Sequence, residues 1–157
     1  MDPGLDGTVE VPAWLVYSVL REEAGSPWRV FLDRTTGQLA TLTYDESIEV
    51  ELLADSVLAN RRARERVERH PESFAEIPFP TEEQWSGWVR ELLRETGKPE
   101  SCVPRFEGLR TFFPNKGDRR LWTIFYRRKL VDLYTNAANA AGLRPIVKWS
   151  RRDRRVR

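Results

Sequence analysis

The feature that most constrains the fold is a pair of strand-forming runs. Trp28-Arg29-Val30-Phe31-Leu32-Asp33 is followed by Arg34-Thr35-Thr36-Gly37 and then by Gln38-Leu39-Ala40-Thr41-Leu42-Thr43-Tyr44. Two such runs joined by a short connection read as a β-hairpin, with Gly37 supplying a positive φ. Helical signals surround it. Pro12 sits at a first helical turn, and the run from Ala13 to Glu23 stops at Gly25. Wound at about 100° per residue, it gathers Leu15, Val16, Val19 and Leu20 on one face and Trp14, Tyr17, Ser18 and Arg21 on the other.

Downstream, Asp45 to Glu51 is acidic, with Ile48, Leu52, Leu53, Val57 and Leu58 offering a narrow apolar stripe. Arg61 to His70 is charged nearly all round, with Arg61/Glu65 and Glu65/Arg69 at helical i,i+4 spacing. Pro71 ends that helix, and the prolines of Phe74–Pro80 favour an edge strand or strap. Thr81-Glu82-Glu83-Gln84 is a capping box, opening a helix with Trp85, Trp88, Val89, Leu92 and Leu93 on one stripe that closes at Gly97. A short helix is expected around Pro104–Phe113. Asn115-Lys116-Gly117 then reads as a turn and Asp118 as the cap of the longest helix, Arg119 to Ala141. The expectation is one compact α+β domain over residues 1–149 with a basic tail over 150–157. In it the small antiparallel hairpin, open to extension by the Ile77 and Ile146 segments, packs against helices anchored by Trp85, Trp88, Trp122 and Phe125.

Composition bounds the classes. A chain of 157 residues fits one domain. Six Trp, seven Phe and four Tyr argue against extensive disorder. No apolar run approaches the roughly 18–20 residues that span a bilayer. The opening Met1-Asp2-Pro3-Gly4-Leu5-Asp6 is acidic, unlike a secretory signal, and the single Cys102 leaves no internal disulfide framework; both suit a cytoplasmic protein.

The net charge of +2 hides a split. Residues 1–104 carry 11 Lys and Arg against 20 Asp and Glu, whereas residues 105–157 carry 15 against 4. Such asymmetry marks an anionic partner for the basic end, or an acidic surface that holds it in cis. Of the 26 basic residues only Lys98, Lys116, Lys129 and Lys148 are lysines. Arginine suits bidentate phosphate and carboxylate contacts, although a GC-rich coding bias gives the same excess.

Several short motifs stand in a familiar order. Arg69-His70-Pro71-Glu72-Ser73-Phe74-Ala75-Glu76-Ile77-Pro78 resembles the D-P-E-R-Y-x-x-I-P stretch of a bacterial family, uncharacterised protein family 0158. Phe31-Leu32-Asp33 with Thr36-Gly37, Arg105-Phe106-Glu107-Gly108-Leu109, Leu121-Trp122-Thr123-Ile124-Phe125 and Ala141-Gly142-Leu143-Arg144-Pro145-Ile146 resemble further landmarks of that family, covering roughly residues 12–147. Asn115-Lys116-Gly117-Asp118 departs from its P-E-L-x-E, as does the basic extension after Trp149. The resemblance implies a bacterial α+β domain and carries over no catalytic residues.

Catalytic chemistry finds little to work with. A triad needs nucleophile, base and orienter together, and the one histidine, His70, precedes Pro71 at a charged helix end. Cys102 lies in a loop, and a thiol without an adjacent base is a bystander. Zinc spacing is missing, and Asp45, Glu46, Glu49 and Glu51 alternate with Ser47, Ile48 and Val50 as a solvated acidic face does. No Walker loop, G-x-G-x-x-G or G-x-S-x-G occurs. The chain therefore reads as a non-enzyme without cofactor or metal.

The long helix and the tail hold the binding candidates. Beyond Tyr126, Leu130, Val131, Leu133, Tyr134, Ala137, Ala138 and Ala141 fall on one side and Arg128, Lys129, Asp132, Thr135, Asn136 and Asn139 on the other. Asn136 and Asn139 are mediocre helix formers, so this stripe suggests partner contact, against the plainer reading of an ordinary wet face. Arg151-Arg152-Asp153-Arg154-Arg155-Val156-Arg157 reads as a basic arm, disordered alone and attracted to phosphates, or else as a solubilising tail. Trp149 and Trp122 are potential stacking groups. The expected nucleic-acid contacts are Arg128, Lys129, Asn136, Lys148, Arg151, Arg152, Arg154 and Arg155, with RNA or DNA open. The rival is a protein-interaction adaptor that docks through complementary acidic and basic surfaces.

Overall fold

The computed structural model describes residues 6–21, 25–97 and 115–154. The expected short helix near residue 104, Cys102 and Arg155 lie outside them. Among the described residues, five strands and five α-helices make a mixed α+β fold: β1 (Thr8–Pro12), α1 (Ala13–Leu20), β2 (Trp28–Asp33), β3 (Leu39–Thr43), α2 (Glu46–Val50), α3 (Ala54–Arg69), β4 (Phe74–Ile77), α4 (Glu82–Glu95), α5 (Lys116–Ala140) and β5 (Arg144–Lys148). Among the described residues no helix is long and apolar enough to cross a membrane.

The hairpin forms as its sequence predicts, with β2 antiparallel to β3, Phe31 opposite Ala40 and Leu32 opposite Leu39. Asp33 builds the turn. Its Oδ1 accepts from the backbone N–H groups of Thr35 (2.8 Å) and Thr36 (3.2 Å), and its carbonyl accepts from the Gly37 N–H (2.8 Å). β4 adds antiparallel to the other side of β2, giving the order β3-β2-β4, so the Ile77 segment takes the edge position that its prolines favour. The Ile146 segment does not extend this sheet. It is β5, which pairs in parallel with β1 as a separate two-stranded sheet, Val9 opposite Pro145 and Val11 opposite Val147. β1 alternates inward Val9 and Val11 with outward Glu10, but its partner strand lies 136 positions along the chain, so no neighbouring run marks the pairing.

The main core joins both sheets. Val9, Val11, Val16, Leu20, Val30, Leu32, Ile77, Leu130, Val131, Tyr134 and Ala138 are buried together. Tyr134 Oη donates to the Gly37 carbonyl at 3.0 Å, tying α5 to the hairpin turn. Gly37 itself has φ +73°, and a Cβ there would stand 2.8 Å from Val9 Cγ1, so both backbone and packing require glycine. A second cluster joins α4 to α5. Trp85, Val89, Leu92 and Leu93 pack on Trp122, whose ring meets Trp85 edge-on at 5.6 Å and stacks on Tyr126 at 5.4 Å. Trp88 and Phe125 line the same cluster, as the apolar stripes predict. The capping box at Thr81 and Gln84 closes in both directions. At α5 the cap is Asn115, whose side chain accepts from the Gly117 N–H at 2.7 Å, and not Asp118; the helix therefore starts at Lys116, earlier than expected.

The acidic segment departs most from expectation. It does not continue one stripe but breaks between α2 and α3, so Val50 and Leu53 point outward at 85% and 81% exposure, beside exposed Leu58. Glu49 is buried and not part of a solvated face. Its Oε1 accepts from Arg61 Nε at 2.7 Å and its Oε2 from Asn60 Nδ2 at 2.9 Å, with Arg64 at 3.7 Å. Asn60 meanwhile clasps the last residue of β3, accepting from the Thr43 N–H (2.8 Å) and donating to its carbonyl (3.1 Å). A side-chain amide thus stands in for a neighbouring strand at that edge. Arg69 pairs with Glu65 as the helical spacing predicts, whereas Arg61 turns to Glu49.

Candidate nucleic-acid interface

The basic end is not a free arm over its first residues. Parallel pairing with β1 carries β5 to Lys148, opposite Pro12 at the start of α1. Trp149 and Ser150 follow, and Arg151–Arg154 close a 3-10 turn. At its centre Asp153 is almost fully buried. One carboxylate oxygen accepts from Tyr17 Oη at 2.8 Å, the other from the Ser150 N–H, and the Asp153 carbonyl accepts from Arg127 Nη1 at 2.6 Å. Burial by itself pushes the Asp153 carboxyl up, but the Ser150 and Tyr17 hydrogen bonds and the Arg127 charge outweigh it and hold it below the usual carboxylate range. Burial, and then the carboxylate it faces, push the Tyr17 hydroxyl up.

Around this anchor the aromatic and basic side chains converge. Tyr17 carries the Arg127 guanidinium over its ring at 4.6 Å and stacks with Trp149 at 6.4 Å between centroids, 28° from parallel. One helical turn before Tyr17, Trp14 lies under the Arg152 guanidinium at 6.0 Å. Trp14 and Trp149 remain 44% and 43% exposed, and Arg151, Arg152 and Arg154 are exposed on the turn. The result is two exposed indoles beside a turn whose three arginines are exposed and whose one carboxylate is buried. Such a face can stack planar groups and pair with phosphates.

The expected contacts divide between this face and others. Arg151, Arg152 and Arg154 are exposed on the turn, Arg152 at the Trp14 ring. Lys148, on the adjoining strand, faces Glu10 Oε1 at 3.5 Å. Lys129 leans on α4 instead, where Glu91 takes its ammonium at 2.8 Å and the Phe125 ring lies at 5.1 Å. Arg128 and Asn136 are exposed on α5, as the wheel predicts. They stand about 100° and 180° round an ideal helix from Arg127, so that stripe looks away from the turn. Trp122 is a core residue, unavailable for stacking. Sequence reasoning missed Trp14, Tyr17, Arg127 and Asp153. The one signal for them was the outward placement of Trp14 and Tyr17 on α1; nothing in a run of arginines marks Asp153 as its anchor.

Among the described residues no three His, Cys, Asp or Glu side chains converge to hold a metal ion. No family model, curated protein or solved structure matches the chain, and the resemblance to uncharacterised protein family 0158 gains no support from them.

Proposed function

We propose that this is a non-catalytic, cytoplasmic protein that binds nucleic acid through its basic C-terminal region. The observation that carries the reading is the buried Asp153, which holds three exposed arginines in one turn beside two exposed tryptophans. Arginines set at fixed positions meet phosphates without first paying the ordering entropy of a flexible arm. The membership suggested by the motif order, uncharacterised protein family 0158, stands as a proposal beside it.

Fluorescence anisotropy with labelled DNA and RNA tests this. The wild-type chain is expected to bind at low salt and to retain measurable binding at about 150 mM, with log affinity falling linearly in log salt. Replacing Arg151, Arg152 and Arg154 together by Gln is expected to weaken binding and flatten that slope by roughly two to three, one phosphate per arginine. Absence of binding at low salt overturns the reading.

A protein-interaction adaptor is the second reading, favoured by the α2–α3 elbow. Val50, Leu53 and Leu58 are exposed there among Glu46, Glu51 and Asp55, an apolar and acidic surface complementary to a basic one. Sedimentation equilibrium tests its homotypic form: mass that rises with concentration and falls with salt supports it, and a monomer throughout overturns it.

A further inference from the structure

We infer that the face made by Trp14, Trp149 and the Arg151–Arg154 turn takes single-stranded nucleic acid, stacking bases on the two indoles while the arginines hold the phosphates. The inference rests on the nucleic-acid reading above and adds strandedness and mode of contact.

Each exposed indole has a neighbour at its ring. Trp149 stacks on Tyr17, and Tyr17 is fixed by its hydrogen bond to buried Asp153. Trp14 has the Arg152 guanidinium at its ring. Both nonetheless keep more than two-fifths of their surface in solvent, whereas Trp85 and Trp122 are almost wholly buried. A ring braced by the protein yet open to solvent is a stacking platform, because immobilising it on binding costs little further entropy. Bases already stacked within a duplex do not offer their faces to such a ring, and splayed single-stranded bases do. The charge fits the same ligand. Arg152 lies at the Trp14 ring, Arg151 and Arg154 are exposed on the same turn, and the carboxylate among them is buried and bonded to Tyr17 and Ser150, so little negative charge faces outward from the turn.

The test measures anisotropy of four labelled probes of roughly 12 nucleotides, within the range of about 4–16 that single-strand-binding OB folds cover. They are oligo(dT), oligo(U), an abasic deoxyribose-phosphate strand and a DNA duplex. Variants are Trp14→Ala, Trp149→Ala, Trp149→Phe and the triple Arg→Gln, each checked for native circular dichroism. The expected result is that both base-bearing strands bind at least about tenfold more tightly than the abasic strand. Each Trp→Ala is expected to lose about five- to a hundredfold in affinity for them, while Trp149→Phe keeps most of it. An excess of oligo(U) over oligo(dT) assigns the ligand to RNA, and the reverse assigns it to DNA.

If abasic strand and duplex bind as tightly as oligo(dT), and the Trp→Ala variants behave as wild type while the triple arginine variant loses binding, stacking is overturned and the nucleic-acid reading stands. If no probe binds at low salt, both fall.

Discussion

Tyr17 Oη donates to Asp153 Oδ1 at 2.8 Å, across 136 positions of chain, and this contact fastens the Arg151–Arg154 turn to α1. A carboxylate within an arginine-rich run has charged competitors on both sides. Here Arg127 takes the Asp153 backbone carbonyl, the Ser150 N–H takes the second carboxylate oxygen, and the arginines of the turn are left outward.

Loosening that contact should free the turn without unfolding the core. Tyr17→Phe removes one hydrogen bond to a charged group, a loss of about 1.5 kcal/mol, and Asp153→Ala removes all the side-chain contacts. Limited trypsin digestion followed by mass spectrometry should show faster cleavage after Arg151, Arg152 and Arg154 in both variants than in wild type. Equal cleavage rates would contradict the latch.

The latch also carries a pH signature. The Asp153 carboxyl is held below its ordinary value, so its stabilisation is complete above the unfolded pKa of about 3.9 and is lost as pH falls through the lower folded value. The difference in Tm between wild type and Asp153→Asn should be constant from neutral pH down to about 5, then shrink below about 4. A difference that grows on acidification, or that titrates near neutrality, would show the sign to be wrong.

Gly37→Ala should be among the costlier single substitutions in the hairpin. It places a side chain at φ +73° and drives a methyl to 2.8 Å from Val9 Cγ1, where β1 packs on the turn. Left-handed backbone and overpacking each cost about 1–3 kcal/mol. Urea unfolding that shows a loss under roughly 0.5 kcal/mol would refute the close approach.

Asn60→Ala should destabilise by about 2–3 kcal/mol, because it leaves both backbone groups of Thr43 and the Glu49 carboxylate short of a partner inside the fold. Asn60→Asp is expected to be no better, since a carboxylate offers nothing to the Thr43 carbonyl and repels Glu49. Val50→Lys and Leu53→Lys, by contrast, should stay within about 0.5 kcal/mol of wild type, both side chains being exposed. Chemical denaturation of the four variants separates the two groups.

Whatever depends on neighbours within one or two turns was legible from the residues alone. The β2–β3 hairpin follows from strand formers around Gly37, the α4 cap from Thr81 and Gln84, and the α4 core stripe from the spacing of Trp85, Trp88, Val89, Leu92 and Leu93. The solvent stripe with Arg128 and Asn136 follows from the period of α5. Tertiary structure alone decided pairings between distant segments. β1 and β5 each satisfy only half a ladder and form because the other is present, a partnership no local pattern encodes. Glu49 looked like one carboxylate in an acidic face until Asn60, Arg61 and Arg64 converged on it. Asp153 sits in what the sequence presents as a basic arm, and only Tyr17, brought from α1, makes it a buried anchor. Local propensity is a property of a few adjacent backbones, whereas the burial of a carboxylate depends on donors brought from elsewhere in the chain. The candidate interface belongs to the second kind: its arginines and Trp149 were legible, and Trp14, Tyr17 and the Asp153 anchor that complete it were not.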